Sequence, residues 1–274
     1  MFKNALLSGA LALALGAGTL HAQAGPIFLA AHGRTLYRTT LGGPVETFTL
    51  ADEVIGLAQR ADGSIIATSP TPVEGGSTLE LYTLDGVDSE SPMLTSLATS
   101  LDATYSAVEF IGDTLFAFKS NTDELYTIDL TDFSEHLVGS TRLGTLHPGG
   151  AAYNPIADTL YLGENSTDSL YSVDYNPGGD GADPLATLVG EFGVDSRLLG
   201  FDFFDGVLYG ALEEMETRTF SIGSIDMQSG LFQPLLTLDQ SAPGGSVALA
   251  VVPSPGSLAL LAAAGLIPLS RRRR

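Results

Sequence analysis

The sequence predicts an all-β fold, a five-bladed β-propeller with four strands to a blade, and three observations predict it. Four segments repeat one another at a spacing near 46 residues. Each repeat is a series of short β-branched or aromatic strands set off by turn residues, the pattern of a propeller blade. The two ends of the body supply complementary pieces of one further repeat.

The second strand of each unit carries the clearest signal: "DGSIIATS" from Asp62, "GDTLFAFKS" from Gly112, "ADTLYLGEN" from Ala157 and "DGVLYGALE" from Asp205. A third strand answers each, as "ELYTLD", "ELYTID", "SLYSVD" and "RTFSIGSID", which aligns Tyr82, Tyr126, Tyr171 and Phe220. First strands recur as "VIGLAQ" from Val54, "YSAVEFI" from Tyr105, "PGGAAYNP" from Pro148 and "RLLGFDFF" from Arg197. Fourth strands are weaker: "MLTSLAT", "EHLVGSTRL", "ATLVGEF" and "QPLLTL".

The remaining pieces are "PIFLAAHG", "RTLYRTT" and "VETFTL" near the start, which read as second, third and fourth strands, and "GGSVALAVVP" from Gly244, which reads as a first strand. Pairing the two ends completes a fifth blade and removes exposed sheet edges. An irregular six-bladed ring is the alternative. The body resembles exported bacterial β-propeller proteins in architecture only, because no blade has a Trp-Asp dipeptide, a kelch double glycine or an Asn-His-Leu pattern.

Both termini read as processing signals. Lys3, an apolar stretch from Ala5 to Leu15, and Ala22 and Ala24 at the A-x-A positions predict a signal peptide over residues 1–24, cut after Ala24 by signal peptidase. At the other end, residues 253–274 hold a proline pair, an apolar run from Ser257 to Leu269 and four arginines. A thirteen-residue helix is roughly 20 Å long against a hydrocarbon core of about 30 Å, a short transmembrane helix whose arginines stay cytoplasmic. Pro253 and Pro255 hold the preceding segment extended, a protease-accessible strand.

This layout resembles the PEP-CTERM sorting signal over about the last 23 residues. The matching residues are Val252, Pro253 and Pro255 of the motif and the cluster Arg271, Arg272, Arg273 and Arg274, while Ser254 stands where the family usually has Glu. The resemblance implies transient membrane anchoring, removal of the tail by an exosortase-type protease, and delivery to the cell surface or extracellular matrix. Exopolysaccharide and envelope proteins are the partners that follow from it. An unprocessed membrane anchor is the alternative.

Between these signals lies the body, 25–252. It holds all 32 acidic residues and seven of the twelve basic ones, for a formal charge of −25. Such a surface disfavours nucleic acid and anionic lipid and attracts divalent cations. Cysteine is absent, which excludes disulfides and thiolate chemistry, and so is tryptophan.

Catalytic motifs are lacking: there is no G-x-S-x-G elbow, H-E-x-x-H pair or phosphate loop. His32, His136 and His147 fall in different blades, His32 and His147 near strand ends. Asp85, Asp129 and Asp174 follow third strands, where an aspartate caps a turn through its own backbone. The loop "DYNPGGDGAD" could hold calcium through Asp174, Asn176, Asp180 and Asp183, although Gly178 replaces one ligand and the distal Glu is missing. Two functions follow: a non-enzymatic binding and display scaffold at the cell surface, or a secreted lactonase- or lyase-like enzyme using acidic channel residues and calcium.

Overall fold

Turn chemistry sets the hairpins where the repeats place them. Gly63, Gly112, Asp158 and the pair Asp205–Gly206 all have positive φ, from 48° to 88°, at the turn between the first and second strand of a blade. Glycine takes this left-handed backbone without strain, and a short aspartate tolerates it. The computed structural model describes residues 25–73, 76–101, 104–144, 147–176, 185–240 and 246–254, which belong to one compact unit, Gly25–Ser254. The expected signal peptide, with Ala22 and Ala24, and the tail from Pro255 through Arg271, Arg272, Arg273 and Arg274 lie outside the described residues.

Blade 1 is β3 (Gly56–Gln59), β4 (Ile65–Val73), β5 (Gly76–Asp85) and β6 (Met93–Leu101). Blade 2 is β7 (Tyr105–Ile111), β8 (Thr114–Lys119), β9 (Glu124–Ile128) and β10 (Glu135–Ser140). Blade 3 comprises β11 (Pro148–Asn154), β12 (Thr159–Glu164), β13 (Ser169–Val173) and β14 (Ala186–Glu191). Blade 4 comprises β15 (Ser196–Phe204), β16 (Val207–Glu214), β17 (Phe220–Ile225) and β18 (Phe232–Asp239). Every neighbouring pair is antiparallel.

The fifth blade joins the ends as expected. β19 (Val247–Val252) pairs antiparallel with the first half of β1 (Ile27–Thr40), from Ile27↔Val252 to His32↔Val247. The second half of β1 pairs instead with β2 (Glu46–Val54). The change of partner falls at Gly33, whose φ is 59°. His32 and Tyr37 both contact the ring of Phe220, with centroids 5.1 and 5.4 Å away. An extended run of five residues would separate them by roughly 16 Å, so the chain reverses at Gly33 and β1 makes two passes through the blade.

Two details differ from the sequence reading. Val54 does not open a first strand; it ends β2, paired with Gly33, and β3 starts at Gly56. Phe220 is not the counterpart of Tyr171 either. Tyr82, Tyr126 and Tyr171 pair with Ala67, Ala117 and Leu162, and the equivalent pair in blade 4 is Gly210 with Gly223. A Cβ on Gly223 would lie 2.5 Å from the Phe232 ring, so the aromatic mass of this blade comes from its fourth strand.

Five buried apolar clusters fill the gaps between neighbouring blades. Side chains such as Phe118, Phe28 and Phe220 are fully buried, each contributing about 1.5–3 kcal/mol of hydrophobic stabilisation. The outer strand of each of blades 1 to 4 carries a register shift against its neighbour. Such irregularities blunt the exposed rim of a sheet against pairing with another chain.

Candidate functional site

A propeller's usual place for a ligand is its central channel, and here the chain fills it. The innermost strands β3, β11 and β15 present Gly56, Gly150 and Gly200 to their neighbours. A Cβ on Gly56 would lie 2.9 Å from Val108 Cγ2, one on Gly150 2.6 Å from the Phe201 nitrogen, and one on Gly200 2.5 Å from the Ala248 carbonyl carbon. Real Cβ atoms do not approach backbone as closely as at Gly150 and Gly200, so those two positions need glycine, while at Gly56 the close neighbours are the side chains of Val108 and Thr68. The cavity left between the inner strands is about 10 Å³, barely the volume that admits one water.

Two acidic side chains meet at one end of this closed centre. Register places Ala58, Glu109, Ala152, Asp202 and Ala250 at equivalent positions on the five inner strands. The two carboxylates thus come from blades 2 and 4. Asp202 accepts the N–H of Val251 at 2.5 Å and that of Phe203 at 2.6 Å; Glu109 accepts from Phe110 and Tyr153. In each case one donor belongs to the inner strand of the next blade, whose edge amides have no strand partner. A buried amide left unpaired costs about 1–3 kcal/mol, so both carboxylates act as edge caps. Burial pushes Asp202 up to about 7, and burial together with the neighbouring Asp202 charge holds Glu109 well above the ordinary carboxylate range.

At the opposite end, where β1 reverses, His32 Nε2 lies 3.2 Å from Glu213 Oε2, and both side chains are buried. Arg218 Nε lies 2.8 Å from Glu213 Oε1, an ion pair without the alignment of a hydrogen bond. Glu213 thus ties blade 4 to blade 5 at the ring closure. Removing Glu213 leaves the buried His32 ring nitrogen without its hydrogen-bond partner and Arg218 without its ion pair. Glu213→Ala should therefore lose about 2–4 kcal/mol of stability in urea unfolding, while Glu214→Ala beside it should stay near wild type.

A groove of about 510 Å³ lies over blades 1 and 2. Its walls include Arg60, Asp113, Thr114, Thr127, Asp129 and His136. Arg60 comes from the β3–β4 turn, with its guanidinium carbon 5.4 Å from the centre of the Phe110 ring. His136 shares a hydrogen bond with Ser134 at 3.1 Å, and Asp129 accepts the Thr131 N–H at 2.7 Å.

Of the residues singled out by sequence, Asp129 and His136 come together in this groove. Asp174 accepts the Asn176 N–H at 3.3 Å, a turn cap, and the other two proposed calcium ligands, Asp180 and Asp183, lie outside the described residues. No group of three or more acidic or histidine side chains suited to a metal occurs among the described residues. His147 is exposed and uses its backbone N–H, toward Glu164. Of the sorting-motif residues, Val252 ends β19 and is buried, Ser254 is buried and Pro253 half-buried, while Pro255 lies outside the described residues. Sequence reasoning missed Glu109, Asp202, Glu213 and Arg60, each a lone charge in an unremarkable strand or turn.

No protein-family model and no curated protein matches the chain. Among solved structures, a chain of the nidogen/laminin complex is 12% identical, with a TM-score of 0.48 over 82% of this chain and 98% of that one. An auxiliary nutrient binding protein of Bacteroides thetaiotaomicron is 13% identical, with a TM-score of 0.47 over 77% of this chain and 57% of its own. A further Bacteroides thetaiotaomicron protein, of unknown function, is 12% identical, with a TM-score of 0.48 over 82% of this chain and 63% of its own. These likenesses are of overall fold alone.

Proposed function

We propose that this chain is an exported β-propeller, sorted through a PEP-CTERM-like tail to the cell surface or matrix, whose ring acts as a rigid binding and display scaffold. The observation that carries the scaffold reading is the closed centre. An enzyme that gathers substrate and calcium in its channel needs room there, and backbone contact at Gly150 and Gly200, with side-chain contact at Gly56, occupies it. The two carboxylates that do converge already serve inner-strand amides. Export and sorting are supported by the sequences around Ala22 and Ala24 and by the tail from Val252 to Arg274.

Cell fractionation with mass spectrometry of both chain ends tests the address. Full-length protein with an epitope in the Asp62–Gly63 turn should be recovered outside the cytoplasm, beginning at Gly25 and lacking the terminal arginines. Recovery of the intact chain, Met1 through Arg274, in the cytoplasm would sink the reading.

A further inference from the structure

The arginines of this acidic propeller are mostly spoken for. Arg34 donates to the carbonyls of Leu50 and Ala51. Arg38 binds Glu46 and the carbonyls of Val87 and Ser89, and Arg218 pairs with Glu213. Arg60 differs: among the described residues its guanidinium has no hydrogen-bond or ion-pair partner. Its guanidinium carbon lies over the Phe110 ring, a cation–π contact, and the residue lines the groove, with the Asp62 carboxylate of the same turn near enough to feel its charge without pairing to it.

We propose that this groove binds a carboxylate-bearing sugar, with Arg60 as the residue that selects the carboxylate. A planar fork of donors matches a carboxylate in bidentate geometry. The other walls suit hydroxyl groups. Thr114 and Thr127 can donate and accept, and Asp113 accepts only. A phosphate would concentrate close to two charges on one small group against Asp113 and Asp129 in the same groove, whereas a uronate carries one per ring, beside Arg60, and offers several hydroxyls to the aspartates. The opening of about 510 Å³ lies in the range of small-ligand sites and suits one or two sugar rings of a longer chain.

The inference deepens the scaffold reading by naming a ligand class, and it rests on that reading only for where the sugar is met. Fractionation tests the address and titration tests the groove, so either can fail alone. The experiment is isothermal titration of the full chain with oligogalacturonate, with its methyl ester and with inorganic phosphate. Oligogalacturonate should bind. Its methyl ester and Arg60→Ala should each lower affinity at least tenfold, and Arg60→Lys several-fold, because a point charge replaces a fork. The melting temperature of Arg60→Ala should stay within about 4 °C of wild type, since the substitution removes only a surface cation–π contact. The proposal is overturned if ester and acid bind alike, if Arg60→Ala binds as well as wild type, if phosphate binds more tightly than the uronate, or if no sugar binds.

Discussion

Gly200→Val should abolish the folded ring or lower its melting temperature by roughly 6–12 °C, the equivalent of about 3 kcal/mol in a domain of this size. The reason is geometric. A Cβ at Gly200 would lie 2.5 Å from both the Ala248 carbonyl carbon and the Leu249 nitrogen. These are backbone atoms of β19, held on their other side by β1, so they cannot step aside as a flexible side-chain end would. Gly150→Ala should show a milder form of the same loss, its Cβ falling 2.6 Å from the Phe201 nitrogen. Gly25→Ala, with nothing within 4 Å, is the control and should be silent. Circular-dichroism melts decide it: a Gly200→Val variant that unfolds with wild type would mean that the centre is looser than described.

Stability should also fall as pH rises from about 4 to 7. Asp202, raised from 3.8 to about 7 by burial, keeps its proton in the folded state over a range where the unfolded chain has released it. The folded state then binds more protons than the unfolded one, so each step up in pH favours unfolding. Below 3.8 this penalty is absent; above 7 it is fully present, on the order of 2–4 kcal/mol. Glu109 is shifted in the same direction and adds to the slope. The groups facing the pair are alanines at the other three equivalent positions and backbone amides, so no cation offsets it. Urea titrations at pH 5 and pH 8 should show the lower midpoint at pH 8. The double variant Glu109→Gln, Asp202→Asn should flatten that difference whatever its absolute stability, and an unchanged slope in the variant would rule out the pair as its origin.

Blade number and ring closure were legible because strand residues and turn residues repeat at a steady interval, and because the end pieces complement one another. The three tyrosines of blades 1 to 3 aligned correctly for the same reason. Blade 4 misled: Phe220 resembles Tyr171 in type, but it faces Tyr37 and His32 of blade 5, and glycine takes the equivalent position. Asp85, Asp129 and Asp174 read as turn residues, and the structure adds Asp226, which accepts the N–H groups of Gln228 and Ser229. Asp129 and His136 of the groove were singled out, but the residues of the centre were not legible. Glu109 and Asp202 are far apart in the chain and share a position only once register is known. Gly150 and Gly200 were read in first strands, but nothing in the sequence shows the neighbouring backbone that lies against them.

The pairing of Ile27 with Val252 also fixes the order of events during folding. These partners are 225 residues apart, while the hairpins of blades 1 to 4 join near neighbours. Bringing such distant residues together costs about 1.4 kcal/mol more chain entropy than closing one 46-residue repeat. High contact order slows folding, and here the last of the described strands is also the keystone. Blades 1 to 4 can form as the chain emerges, but they wait as an open arc with a bare face at each end. The interval before Val252 arrives is when this protein is most open to misassembly with a second arc.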